Sequence, residues 1–285
     1  MKTLTLNNGL RIPNIGLGAV IIPAGDDGLE KYKKEYEFYS WVIERGGCTL
    51  FDTSAAYQRN DEALGNAIFD SGKRNQLQIM TKISNRQQRE GNIRKAVEAH
   101  LKYLKTDYVD LYLIHWPQTG TFIETYRELE KVYNDGLAKA IGVCNCNIHH
   151  LKELKHEGLT VPAVNQFEIT PLFTNDSLVN YCKAFDIMPI AYSSVGRMHD
   201  VLIKAEPIRL LAKKYGKSPV QIIIKWNEQL GRCALVETRN QKHYEEIFFE
   251  LSDFALDEKE ICWINSLNDN IRLRYNPDMA DFMCL

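Results

Sequence analysis

The chain has 285 residues, and its 35 Lys and Arg nearly balance its 37 Asp and Glu, leaving a formal charge of −2. With 45% hydrophobic and 25% charged residues, the composition excludes a disordered chain, and the charge balance lacks the basic excess or stripe of a nucleic-acid binder. No apolar run approaches the roughly 18 residues a membrane span needs, and the start, Met1-Lys2-Thr3-Leu4-Thr5-Leu6-Asn7, lacks the apolar centre of a signal peptide, so a cytoplasmic protein is expected.

The first element reads as a hairpin. Thr3-Leu4-Thr5-Leu6 alternates, Asn7-Asn8-Gly9 turns and Leu10-Arg11-Ile12 returns. Eight short apolar runs follow, at 14–17, 49–52, 77–82, 109–115, 138–145, 163–166, 187–192 and 233–239. The stretches between them have helical spacing. Residues 28–45 carry Tyr32, Tyr36, Phe38, Tyr39 and Val42; in 93–104, Ile93, Val97, Leu101 and Leu104 share one helix face; 176–185 and 206–215 repeat the spacing. Ser218-Pro219 reads as an N-cap followed by proline at the first helical position, Gly136, Gly158 and Gly216 stand where helices should stop, and a last helix is expected from Asp257. Alternating strand and helix predict a parallel sheet, and eight strands predict its closure. The expected fold is α/β: a (β/α)8 barrel of the TIM type, with an N-terminal hairpin and a C-terminal helix and tail. No Pro/Gly/Ser-rich tract or charge block divides the chain, so residues 1–285 are expected to form one domain.

The main competitor is an open doubly wound sheet. Its dinucleotide fingerprint is absent: Gly16-Leu17-Gly18 lacks a third glycine and runs into Ala19-Val20-Ile21-Ile22-Pro23, not a helix start. The seven cysteines are odd in number and include no Cys-x-x-Cys pair; Cys144-Asn145-Cys146 is the only close pair. Reduced thiols are expected. No Asp/His/Glu cluster has clear metal spacing, and His149, His150 and His156 read as surface residues on a polar helix.

In a parallel barrel, chemistry gathers at the C-terminal ends of the strands, and here those ends are polar. The runs end at Asp52, Lys82, His115, Asn145, Gln166, Tyr192-Ser193 and Thr238-Arg239. Singly, each has an ordinary reading: a turn-forming Asp, a solvated Lys, a hydrogen-bonded His. Together, Asp, Lys and His ending three successive strands, with Tyr57 in the loop after the first, can move a proton. A buried Asp52 and Lys82 should pair. The ammonium should lower the pKa of the phenol, and His115 should hydrogen-bond the reacting oxygen or relay a proton.

These residues sit in segments that resemble the aldo-keto reductases. The matching stretches are Phe51-Asp52-Thr53-Ser54-Ala55-Ala56-Tyr57, Asn60-Asp61-Glu62-Ala63-Leu64-Gly65, Met80-Thr81-Lys82, and Tyr108-Val109-Asp110-Leu111-Tyr112-Leu113-Ile114-His115-Trp116-Pro117. Further on come Gly136-Leu137-Ala138-Lys139-Ala140-Ile141-Gly142-Val143-Cys144-Asn145, Val164-Asn165-Gln166-Phe167-Glu168, and Ala191-Tyr192-Ser193, in the expected order over residues 4–275. The resemblance implies a barrel reductase that transfers hydride from NAD(P)H to a small aldehyde or ketone without a doubly wound domain. It implies Tyr57 as general acid with Asp52, Lys82 and His115 as its partners. It places Cys144, Asn145 and Gln166 at the nicotinamide amide, with Cys144 departing from the family's serine, Tyr192 under the nicotinamide ring, and Ser193, Gly196 and Arg197 on the pyrophosphate loop.

The match is weakest at the adenosine end. Where many members carry Lys-Ser, then Arg, then Glu-Asn, this chain has Thr238-Arg239, Tyr244 and Ile247-Phe248. Arg239 suits the 2′-phosphate of NADPH; Glu237 suits a ribose hydroxyl of NADH. NADPH is the expected cofactor and NADH the alternative. The substrate pocket is expected to use Val20 or Ile21, Trp116 and the tail residues Tyr275, Met279 and Phe282, opening to small aldehydes, α-dicarbonyls or sugar-derived carbonyls. Two rivals stand beside this reading: a cofactor-binding regulatory barrel with little turnover, and an unrelated barrel using Lys82 as a Schiff base. The oligomeric state is not legible.

Overall fold

The computed structural model of the chain describes residues 2–280. At the N-terminus, β1 (Thr3–Thr5) pairs antiparallel with β2 (Arg11–Pro13), Leu4 opposite Ile12. Eight strands follow: β3 (Ile15–Gly18), β4 (Leu50–Asp52), β5 (Gln78–Ile83), β6 (Leu111–Ile114), β7 (Ile141–Cys144), β8 (Val164–Glu168), β9 (Met188–Tyr192) and β10 (Cys233–Val236). Each pairs in parallel with the next, and β10 returns to β3 with Ala234 opposite Ile15 and Val236 opposite Leu17, so the sheet closes into a barrel. Helices connect the strands, as the eight-run pattern predicts. Two runs begin early, because Val109 and Ala138 form an isolated bridge ahead of β6 and β7. The eighth run overshoots: 237–239 lie in the loop after β10.

The helices owe their places to one buried face each and to their ends. In Ile93–Tyr103, Ile93, Val97 and Leu101 are buried while Arg94, Lys95 and Glu98 face water. Ser218 starts Pro219–Gln229 with a reciprocal cap, its Oγ accepting from Gln221 N and its N–H donating to Gln221 Oε1 at 2.9 Å. Asp257 caps Glu258–Asn265 in the same way. Gly216, with φ +64°, ends Glu206–Tyr215. Among the described residues no helix is long and apolar enough to cross a membrane.

Strand alternation splits the core in two. Ile79, Tyr112, Val143, Phe167 and Val236 belong to the layer between sheet and helices. Leu50, Met80, Leu113, Val164, Ile190 and Leu235 cluster instead with Leu6 and Ile12. This is the barrel interior, closed at its N-terminal end by the hairpin. The walls fit because large residues oppose small ones: a Cβ on Gly142 would lie 2.6 Å from the Val164 carbonyl oxygen and 2.9 Å from Leu113. The alternation also aims the site. Asp52 shares a face with Leu50, Lys82 with Met80, Gln166 with Val164 and Tyr192 with Ile190. The chain therefore projects polar groups into the same interior, one step nearer its C-terminal mouth.

Candidate active site

The ion pair predicted from the strand ends forms. Lys82 Nζ donates to Asp52 Oδ1 at 2.6 Å and to the Thr53 carbonyl at 2.9 Å, and Gln166 Nε2 donates to the same Asp52 oxygen at 2.9 Å. Lys82 is fully buried. Burial opposes its charge, but Asp52, with help from Tyr57 and Cys144, outweighs burial and raises its pKa above the ordinary value. Lys82 is thus a fixed ammonium held by two acceptors. A Schiff-base lysine must shed its proton to attack a carbonyl, so this environment speaks against that rival.

Tyr57 sits on a short helical turn, Ala55–Tyr57, just beyond β4. Ser54 starts the turn, accepting from Ala56 N, and the Tyr57 carbonyl accepts from Ile22 N at 3.2 Å, which ties the turn to the loop after β3. Lys82 Nζ stands 5.6 Å from the centre of the Tyr57 ring, and the His115 ring meets that ring edge-on at 5.8 Å. The four residues gathered from 52 to 115 therefore form one cluster. The charge balance at the phenol differs from the sequence expectation. Burial pushes the Tyr57 pKa up to about 12; Lys82 lowers it as anticipated and Arg274 does so too, but burial wins. Tyr57 is therefore a protonated acid at physiological pH.

His115 is buried, and burial, Lys82 and Arg274 together hold its pKa well below the imidazole norm, so the ring is neutral. Its Nδ1 lies 3.0 Å from Ser54 Oγ. Ser54 Oγ already accepts from Ala56 N at 3.2 Å, and the fully buried hydroxyl is satisfied when its one proton goes to Nδ1. That assignment leaves the ring proton on Nε2, which faces no protein acceptor among the described residues. Ser54 was quoted in the sequence motif without a role; its partner lies 61 residues away.

The remaining strand ends knit the floor. Asn145 follows β7 with φ +60°. Its Nδ2 donates to the His115 carbonyl at 3.0 Å, and its Oδ1 accepts from Tyr192 OH at 2.6 Å, which fixes the Tyr192 ring. Cys144 is buried and its thiol donates weakly to Gln166 Oε1 at 3.5 Å; burial raises the thiol pKa far above its norm, so it is inert. Both amide oxygens keep a lone pair. Asp61, given no role from sequence, accepts from Thr53 Oγ1 at 2.7 Å, and burial pushes its pKa up to about 6.

Above the buried Lys82 lies a cavity of about 460 Å³, which Lys82 itself does not line. Asp52, Tyr57, His115, Trp116, Cys144, Asn145, Gln166 and Tyr192 form its inner end; Ser193, Arg197 and Glu237 lie along the rest, and Ile21 and Arg274 border it. Several expected residues fall outside the lining. Val20 does, its carbonyl accepting from Asn60 Nδ2 at 3.0 Å, so Ile21 is the lining residue of that pair. Tyr275 and Met279 are 61% and 82% exposed and line none of the cavity, because the tail turns outward there; Phe282 lies outside the described residues. Gly196 is a buried turn residue whose N–H donates to the Ser193 carbonyl. Thr238 closes a turn with Asn240, accepting from its N–H at 3.2 Å. Arg239 donates to Glu35 Oε2 at 2.6 Å and to the Thr238 carbonyl at 2.7 Å, stacked on Phe38. His149 and His156 are exposed and His150 partly so, all away from this cavity; His149 meets Asp278 at 3.3 Å.

Residues 14–269 match the model of the Aldo/keto reductase family. The chain is 35% identical to glyoxal reductase of Bacillus subtilis over 97% of its own length and 96% of that protein's. It is also 35% identical to the 9,11-endoperoxide prostaglandin H2 reductase of Trypanosoma cruzi, over 96% and 94%. Among solved structures, MGS-M4, an aldo-keto reductase from a Medee basin deep-sea metagenome library, superposes with TM-score 0.86 at 32% identity over 99% of this chain and 100% of that one; apo Gox0644 gives 0.89 at 27% over 99% of each. An eight-stranded barrel with a buried lysine–aspartate pair, a tyrosine and a histidine at its mouth, matched over nearly its whole length by such relatives, belongs to the Aldo/keto reductase family.

Proposed function

We propose that the protein reduces the carbonyl group of small aldehydes or ketones, with Tyr57 as general acid. The observation that carries this reading is the cluster at the inner end of the cavity: a protonated phenol and a neutral imidazole that line the same space, with a fixed ammonium buried behind the phenol ring. The residues present fit a nicotinamide. The Tyr192 ring lines the cavity and is held by its bond to Asn145, the side-chain amides of Asn145 and Gln166 share the lining, and Ser193 and Arg197 continue the wall. When bound, the nicotinamide supplies the hydride.

The chain supplies position and a proton. Tyr57 gives its proton to the carbonyl oxygen as negative charge grows there, and Lys82 steadies the phenolate left behind. His115 Nε2–H donates to the same oxygen, and its low pKa keeps it a donor that does not itself ionise. Asp52 holds Lys82 charged and in place. At the adenosine end, Arg239 is the cation at hand for a 2′-phosphate, but Glu35 holds it already. We infer that NADPH is preferred over NADH by a modest margin, which Arg239→Ala abolishes in steady-state comparison of the two nucleotides. The reductase reading is tested with Tyr57→Phe, which should lower carbonyl reduction at least 10²-fold. A variant within a few-fold of the parent, with the chemical step rate-limiting, removes Tyr57 from the acid role.

A further inference from the structure

The C-terminal tail brings a charge to the cavity that the strand ends do not account for. After the last helix the chain folds back over the mouth of the barrel. Ile271 N donates to the Leu172 carbonyl at 3.0 Å. Leu273 N and Arg274 N then donate to the two carboxylate oxygens of Glu168, at 2.7 and 3.1 Å. Glu168 is the last residue of β8 and is fully buried. The barrel itself therefore holds the backbone of this stretch and decides which way its side chains leave.

The two arginines of the stretch part company. Arg272 stacks its guanidinium on Phe173, 4.5 Å from the ring centre. Arg274 turns the other way and lines the cavity with Tyr57, His115 and Trp116. It is partly buried, and among the described residues its guanidinium makes no hydrogen bond, ion pair or ring contact; the carboxylate that feels its charge is Glu168. Glu168 has both oxygens on backbone N–H groups. Glu237, the other carboxylate at the cavity wall beyond Asp52, stands beside Gly18 at the opposite end, near Glu35. Arg274 shares the cavity lining with Tyr57, His115, Cys144 and Tyr192, which places it at the reacting end; its charge opposes the rise that burial gives the phenols and the thiol and adds to the lowering at His115. An always-charged fork of donors that no carboxylate among the described residues holds in an ion pair is a receptor for one.

We propose that Arg274 binds a carboxylate carried by the substrate beside the carbonyl to be reduced, so that the preferred substrates are oxo acids and acid-bearing aldehydes and not neutral carbonyl compounds. The inference rests on the reductase reading above. It narrows the substrate class and adds a specificity-determining residue that no strand end supplies.

The test compares two aldehydes of like chain length and reactivity, succinic semialdehyde and butanal, in the wild type, Arg274→Met and Arg274→Lys. The wild type should favour the acid in kcat/KM by at least about tenfold, the lower range for a charge-assisted contact. In Arg274→Met that ratio should fall at least tenfold, with the change in KM for the acid, and Arg274→Lys should restore part of it. Equal losses for both aldehydes, a ratio that survives Arg274→Met, or a loss seen in nucleotide KM in place of acid KM overturns the proposal and leaves the reductase reading standing. A phosphate-bearing aldehyde, glyceraldehyde 3-phosphate, preferred over succinic semialdehyde also overturns the assignment to carboxylates. Calorimetry with butyrate, which contains the acid group and no carbonyl, gives a readout that needs no turnover. Binding by the wild type that Arg274→Met abolishes supports the anion site even if neither aldehyde is reduced; binding that is absent, or that Arg274→Met leaves unchanged, refutes it.

Discussion

Replacing Lys82 with methionine tests the electrostatic frame of the site without touching the cavity wall. Lys82 and Asp52 are 0% and 7% exposed and stand 2.6 Å apart. Methionine fills most of the lysine stem and carries no charge. In Lys82→Met the Asp52 carboxylate keeps only Gln166 Nε2 as a donor, and the Thr53 carbonyl loses the ammonium that faced it. A buried charge stripped of its partner destabilises by about 3–5 kcal/mol. The doubly neutral Asp52→Asn/Lys82→Met removes both charges and retains an acceptor for Gln166. Replacing a buried pair by neutral groups is often close to neutral, so the double variant should recover at least about 2 kcal/mol of the single variant's loss.

Urea unfolding of the wild type, the two single variants and the double variant at pH 7 closes the cycle and reads the coupling directly. A pH series gives an independent check. The raised pKa of Lys82 means that its contribution is present in full below its ordinary value of 10.5 and is lost only as pH rises through the higher folded value. Lys82 therefore adds no pH dependence to the wild type between pH 6 and 9. A Lys82→Met protein within about 1 kcal/mol of the wild type, or a double variant as unstable as the sum of the singles, would refute the claim that this pair is a buried, mutually dependent unit.

Asp61 and Gly142 give two further tests. Burial holds the Asp61 pKa at about 6, above its ordinary 3.8, so the unfolded chain ionises first and stability should fall as pH rises through that interval. The difference of about two pH units is worth about 3 kcal/mol at neutral pH. Asp61→Asn should flatten that limb of the urea midpoint against pH and raise the midpoint at pH 7; an unaltered slope means that another group carries it. Gly142→Ala would place a Cβ 2.6 Å from the Val164 carbonyl oxygen, forcing β7 and β8 apart at a cost of about 1–3 kcal/mol. A chemical-denaturation curve superposable on the wild type's would show that the barrel wall yields more easily than its packing indicates.

The site was legible in the sequence where the chemistry follows strand periodicity. Asp52, Lys82, His115 and Gln166 could be placed together because each ends an apolar run, and a closed parallel barrel must gather those ends. What periodicity does not carry is which charge already has a partner. The motif put Arg239 near a 2′-phosphate, yet its guanidinium is held by Glu35, 204 residues away in the chain. Arg274 had no signal, since residues 271–276 form no helix or strand, and what aims it is a carboxylate 106 residues earlier. Lys82 showed the sign of one effect on Tyr57 but not the depth of burial that outweighs it. Val20 and Ile21 could not be told apart, because the difference lies in a backbone carbonyl bonded to Asn60. In each case the missing quantity is a long-range pairing or a desolvation, which only the closed fold determines. On the proposed reading, specificity rests on those quantities more than on the tetrad of Asp52, Tyr57, Lys82 and His115: the tetrad would reduce a carbonyl, while the state of two arginines, one paired with Glu35 and one in no ion pair among the described residues, would govern which nucleotide and which carbonyl compound are admitted.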